Sequence, residues 1–120
     1  MGRADLFPRA KAEARTADGI VFDSKREMER YYELKTLQKT EEIRDLKWQI
    51  QFKFYVNDQL VGSYKPDFQY LTRTGAVVVE DVKAWRRTPK TGKLVPIVNR
   101  EFRYQRALMK TLFSLDVQLV

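Results

Sequence analysis

Residues 65–83 read Lys65-Pro66-Asp67-Phe68-Gln69-Tyr70-Leu71-Thr72-Arg73-Thr74-Gly75-Ala76-Val77-Val78-Val79-Glu80-Asp81-Val82-Lys83. They form two strand-like runs around a short turn whose Gly75 suits the left-handed position of a hairpin loop. If Arg73, Thr74 and Gly75 make a three-residue loop, Thr72 pairs with Ala76 and Asp67 falls opposite Asp81. A two- or four-residue loop shifts the register and brings Glu80 opposite instead. Either way two carboxylates become cross-strand neighbours, with Cβ atoms about 5 Å apart, where like charges repel. A hard divalent cation, which takes oxygen ligands, offsets that repulsion. Lys83, two residues beyond Asp81, projects from the same strand face.

Asp67, Asp81 and Lys83 together suit phosphodiester hydrolysis. A metal polarises the phosphate and lowers the pKa of a bound water. A nearby ammonium orients that water or stabilises the developing negative charge. Each piece alone has a plainer reading. Asp-x-Lys on an exposed strand is also a surface ion-pair pattern of little energetic worth, and Pro66-Asp67 also starts turns.

Upstream, Asp23 or Ser24 starts a helix, and Ser24-x-x-Glu27 has the form of a capping box. Tyr31, Leu34 and Leu37 recur at helical spacing, and the helix ends near Lys39. Ile43 and Leu46 then anchor a connection. Trp48 to Val56 alternates as one half-buried strand, Asn57-Asp58 turns the chain, and further strands run from about Leu60 to Leu71 and from Ala76 to Trp85. Residues 86–98 read as a mobile basic loop. A second helix covers about Asn99 to Phe113, and Leu115, Val117 and Leu119 suggest a last strand. The expected order is αβββαβ, an α/β or α+β domain with a small mixed sheet flanked by helices. Residues 1–19 read as a basic N-terminal arm and residues 20–120 as one domain.

The chain has 120 residues, the size of one domain, and is 43% hydrophobic and 32% charged, as soluble globular proteins are. Its net charge of +7 suggests a polyanionic partner, most commonly nucleic acid. It has no Cys and no His, which excludes disulfide frameworks, thiolate zinc sites, Cys nucleophiles and His-based triads or metal sites. No apolar run approaches the roughly 20 residues of a membrane span and no signal-peptide core is visible, so the expectation is a cytoplasmic protein with no membrane partner.

Lys65-Pro66-Asp67-Phe68 and Glu80-Asp81-Val82-Lys83 resemble the paired motif of the PD-(D/E)XK nuclease superfamily. With Phe22 to Tyr31, and Ile43 to Leu46 followed by Trp48-Gln49, the chain is similar to a small phage and prophage family long described as a domain of unknown function. The resemblance runs from about Asp18 to the C-terminus. It implies a restriction-endonuclease-like αβββαβ core, Mg²⁺ or Mn²⁺ as cofactor, and duplex or branched DNA as substrate, as for junction resolvases. A phage enzyme would work in the bacterial host cytoplasm. Asp67 and Asp81 become metal ligands and Lys83 the catalytic lysine. Glu27 becomes a further carboxylate facing the metal, although its capping-box reading stays open; Glu29 and Glu33 belong to a solvated face. The superfamily more often has Glu where Asp81 stands, and Glu80 takes that role if the register differs. The i, i+2 relation to Lys83 favours Asp81.

On the second helix Arg100, Arg103, Arg106 and Lys110 lie within roughly a third of the circumference, opposite Phe102, Leu108, Met109, Leu112 and Phe113. Arg86, Arg87, Lys90 and Lys93 precede them. This is either a basic solvent face or a strip tracking a phosphate backbone. No base-reading helix is evident, so recognition of DNA shape or branching is expected. Cutting both strands is simplest for a two-fold homodimer. The competing functional readings are a non-catalytic DNA-binding module on the same fold and an RNA-processing protein.

Overall fold

A computed structural model describes residues 9–120. A 3-10 turn at Ala12–Arg15 leads into β1 (Thr16–Ala17) and β2 (Ile20–Val21), paired antiparallel around Asp18-Gly19. Ala17 and Phe22 are buried, and Tyr31 Oη donates to Asp18 Oδ2 at 2.8 Å. The last part of the segment read as an N-terminal arm is thus tied to the domain by the β1–β2 pairing and the buried Ala17, while Ala12 and Ala14 stay exposed. Residues 1–8 of that arm lie outside the described residues.

Helix α1 (Lys25–Lys39) begins at the expected cap, where Ser24 Oγ accepts from Glu27 N at 3.1 Å, and ends at the expected Lys39. Tyr31 and Leu34 form its buried stripe. The next strand, β3 (Ile43–Trp48), lies where a connection was expected, with Ile43 and Leu46 as its buried residues. The expected 48–56 strand breaks at Gln49, which has a φ of 54°. Trp48 thus ends β3, and Phe52–Val56 makes β4, paired with β5 (Gln59–Tyr64). Asn57 and Asp58 both have positive φ, as a twisted two-residue hairpin turn requires.

A single 60–71 strand is also not formed. Lys65-Pro66-Asp67 separates β5 from β6 (Phe68–Thr72), and Pro66 has no N–H to give to a ladder. Strand β7 (Val77–Asp81) stops short of Trp85. The basic stretch expected to be a mobile loop instead contains β8 (Trp85–Arg87) and β9 (Leu94–Pro96), paired antiparallel. Helix α2 (Arg100–Phe113) is capped by Asn99, whose Oδ1 accepts from Phe102 N at 2.8 Å. Strand β10 (Val117–Leu119) runs parallel to β7.

The main sheet has the order β10-β7-β6-β3 and is mixed. Its elements with the helices follow α1-β3-β6-β7-α2-β10 in an α+β fold; the letters match the expected αβββαβ order, but β3 takes the place of the expected 48–56 strand, and the β4–β5 and β8–β9 ribbons are inserted. One sheet face packs Tyr31, Leu34, Phe68 and Tyr70 with α1. The other packs Phe54, Tyr64, Val79, Phe102, Met109 and Val117 with α2. Leu71 pairs with Val77 and Phe68 with Glu80, while Thr72 N donates to Ala76 O at 2.9 Å. Gly75, at a φ of 86°, closes the three-residue loop, so the hairpin takes the first of the two registers weighed above.

Candidate active site

The start of β6, the end of β7 and the first turn of α1 meet at one end of the sheet. Asp67 sits just before β6. Its N–H donates to Glu80 O and its carbonyl accepts from Gln49 N, each at 3.1 Å, so backbone bonds to both neighbouring segments fix it. Its side chain crosses to the next strand, where Oδ2 accepts from Val82 N at 2.7 Å. Glu27, only 5% exposed, lies against it. Burial pushes the Asp67 carboxyl up to about 10, reinforced by the hydrogen bond and charge of Glu27 and then by the charge of Asp81, while the Val82 N–H acts in the opposite sense. Glu27 makes a backbone bond close to the one its capping-box reading expected and also meets a second carboxyl. Its Oε2 accepts from Asp23 N at 2.9 Å, one residue before the expected capping-box partner, and the same carboxyl faces Asp67.

Asp81 is buried on the α2 side of the sheet. Tyr64 Oη donates to its Oδ2, and Lys83 Nζ lies 3.1 Å from its Oδ1. The same ammonium sits 3.8 Å from the ring centroid of Phe102, over the aromatic face. Burial, then the Asp81 charge, pushes the Tyr64 hydroxyl well above the ordinary phenol range, so it remains a donor.

Glu80 points to the opposite face. Arg30 Nε and Nη2 donate to its two oxygens at 2.8 and 2.7 Å, and Tyr70 Oη also donates to it. The hydrogen bond to Glu80 is the main reason the Arg30 guanidinium holds its proton above its ordinary range. Glu80 is thus engaged by three protein hydrogen bonds, and the register that would have put it opposite Asp67 in place of Asp81 is not the one formed.

A family model described as "Protein of unknown function (DUF1064)" matches residues 9–114. The chain belongs to the DUF1064 family. No curated protein and no solved structure matches it. Glu27, Asp67, Asp81 and Lys83 of this DUF1064 chain all fall inside the matched span.

The basic residues divide. Arg86 and Arg87 lie on β8, Lys90 and Lys93 in the turn after it, and all four are exposed. Arg100, Arg103 and Arg106 are exposed on α2. The charge of Arg106 is felt at Tyr64, which places it toward Asp81. Lys110, by contrast, is paired with Asp116 at 2.9 Å in the last turn. A cavity of about 250 Å³, lined by Arg26, Arg30 and Val82 among others, opens on the α1 side of β7.

Arg30, Tyr64, Tyr70 and Phe102 escaped the sequence reading as site partners. A buried carboxylate needs a partner, so Glu80 implied a cation such as Arg30. Nothing in the pattern marked Tyr64 or Phe102 apart from other core aromatics.

Among the described residues no group of three or more acidic side chains is arranged as a ready metal cage. The donor chemistry nevertheless fits a hard cation. Glu27, Asp67 and Asp81 offer only oxygens, the donors a hard cation takes. Ligation through Asp81 Oδ1 would displace the Lys83 ammonium from it. No helix among the described residues is long and apolar enough to cross a membrane.

Proposed function

We propose that this DUF1064 protein is a metal-dependent deoxyribonuclease of the PD-(D/E)XK type, phage-related and acting on duplex or branched DNA in the manner of a junction resolvase. The observation that carries this reading is the meeting of buried Glu27 and Asp81 with Asp67 at one end of the sheet, where Asp67 Oδ2 accepts from Val82 N at 2.7 Å and the Lys83 ammonium lies 3.1 Å from Asp81 Oδ1. Crowding acidic groups in a buried corner is unfavourable for folding alone, and such clusters concentrate at functional sites.

Glu27, Asp67 and Asp81 would hold Mg²⁺ or Mn²⁺, which when bound polarises a phosphate oxygen and lowers the pKa of a coordinated water. The chain's own groups do the rest. The Val82 N–H fixes Asp67 Oδ2 and leaves Oδ1 for the site. Tyr64 orients Asp81. Lys83, carried between Asp81 and the Phe102 ring, supplies a positive charge beside an incoming phosphodiester. Arg103 and Arg106 extend positive potential along α2 from that point.

The test is a cleavage assay on linear, supercoiled and four-way-junction DNA with Mg²⁺ or Mn²⁺. Wild type should cut at least one form, while Asp67→Asn and Lys83→Ala should bind but not cut. Cleavage persisting in both variants rejects the reading. The occupation of both Asp81 oxygens by Lys83 and Tyr64 favours, as second reading, a non-catalytic DNA-binding module. Binding without cleavage of any form, with either metal, would assign that function. An RNA-processing role is tested by RNA competition against duplex DNA at fixed salt.

A further inference from the structure

We propose that the β8–β9 ribbon is the duplex-gripping element of this protein and enters the major groove of B-form DNA beside the carboxylate site. Residues 82–100 carry six basic side chains (Lys83, Arg86, Arg87, Lys90, Lys93 and Arg100) and no acidic one. Among the described residues only Lys83 of these six lies within ion-pair distance of a carboxylate. A one-signed, unneutralised field of this kind fits a polyanion.

The ribbon is pre-formed. Arg87 pairs with Leu94, Arg86 with Val95 and Trp85 with Pro96. Thr88 N donates to Lys93 O and Gly92 N to Thr88 O, both at 2.9 Å, and Arg87 Nη1 braces the turn by donating to Gly92 O at 2.8 Å. At its base, Trp85 Nε1 donates to Val120 O at 3.2 Å and Ile97 N to Ala84 O at 2.8 Å. A ligand bound there meets a surface already ordered, which lowers the entropic cost of association.

Leu94 gives the basic ribbon an apolar contact that a groove, unlike a row of phosphates, can use. It is 55% exposed, beside Arg87 and next to Lys93. Phosphate contacts have no use for an exposed leucine, whereas a groove floor offers thymine methyl groups. The B-form major groove, about 12 Å wide, admits a two-stranded ribbon. The deep, narrow major groove of A-form RNA does not. The ribbon starts two residues after Lys83, so seating it in the groove brings the flanking backbone toward the carboxylates.

The choice of DNA rests on the nuclease reading, so the test is binding without divalent metal. Fluorescence anisotropy across a NaCl series compares a short DNA duplex with an RNA duplex of the same sequence, using the whole chain. The triple variant Arg86→Ala/Lys90→Ala/Lys93→Ala spares the bracing Arg87 and should flatten the log–log salt slope by about 3, at roughly 0.9 per lost phosphate contact. Leu94→Ser should weaken DNA binding several-fold at unchanged slope. The RNA duplex should bind at least about tenfold more weakly. An unchanged slope in the triple variant, with a wild-type melting temperature, overturns the proposal. So does a Leu94→Ser variant that binds like wild type, or RNA bound as tightly as DNA. A ribbon that passes these tests in a chain that cuts no DNA refutes the nuclease reading alone.

Discussion

Arg30 on α1 grips both carboxylate oxygens of Glu80 on β7, at 2.8 and 2.7 Å, one helical turn beyond Glu27. A bidentate guanidinium–carboxylate pair fixes direction as well as distance. This one therefore sets how α1 lies on the sheet, and so how Glu27 meets Asp67. Arg30→Ala strands a buried carboxylate and should cost about 3 kcal/mol or more in stability, read by chemical denaturation. Glu80→Gln should lower Mn²⁺ affinity far less than Asp81→Asn, because Glu80 faces away from the site and reaches it only through the placement of α1. A loss of metal affinity in Glu80→Gln as large as in Asp81→Asn would show that the two acids had been assigned the wrong way round.

The raised Asp67 carboxyl makes stability depend on pH. Its folded value, about 10, lies above the ordinary 3.8. The protonated acid therefore contributes stability that is fully present below about pH 4 and is lost as pH climbs toward 10. In EDTA the melting temperature should fall across this window through Asp67. Asp67→Asn should flatten the profile and, at neutral pH, raise stability by about 1 kcal/mol or more, some 4 °C. Mn²⁺ should restore wild-type stability and do nothing for the variant. A variant less stable than wild type at pH 7 in EDTA would contradict the upward shift of the buried Asp67 carboxyl.

Much of this site was legible because its geometry follows from local rules. Gly75 marked the hairpin turn and narrowed the pairing to two registers, and the Thr72–Ala76 closure of the fold selects the one that sets Asp67 beside Asp81. Asp23 or Ser24 announced the first helix start through cap chemistry, while the second was placed near Asn99 by its apolar spacing. The strand breaks were less legible. Trp48 and Phe54 share one alternating run yet pack on opposite sides of the sheet, because Gln49 takes a positive φ that its residue type does not demand. The ribbon at residues 85–96 was hidden by its prolines and glycine, which here shape a turn and an edge in place of a free loop. Tyr64 and Phe102 reach the site through tertiary packing between elements far apart in sequence, which no spacing encodes.

Tyr64 Oη donates to Asp81 Oδ2 in a buried setting. Tyr64→Phe keeps the ring in the core and removes only that donor. The carboxylate left behind should cost about 1–3 kcal/mol in stability. Mn²⁺ affinity, measured by calorimetry, should change along with it, since a freed Asp81 oxygen alters the donor set. A drop in stability with wild-type metal affinity would make Tyr64 a structural residue alone.

Lys83 is held by two attractions of different kinds, the Asp81 carboxylate at 3.1 Å and the Phe102 ring face at 3.8 Å. A desolvated cation over an aromatic face is worth up to about 2 kcal/mol. Phe102→Leu retains an apolar side chain of similar bulk and removes that face. It should lower the cleavage rate while leaving duplex affinity near wild type, because the ribbon and α2 arginines are untouched. Lys83→Met should lower the rate as well. If the ring acts by placing the ammonium, adding Phe102→Leu to Lys83→Met should cost nothing further, so that the double-mutant cycle shows strong coupling in the rate. Additive losses would mean that Phe102 affects activity through core packing and that its contact with the ammonium is incidental.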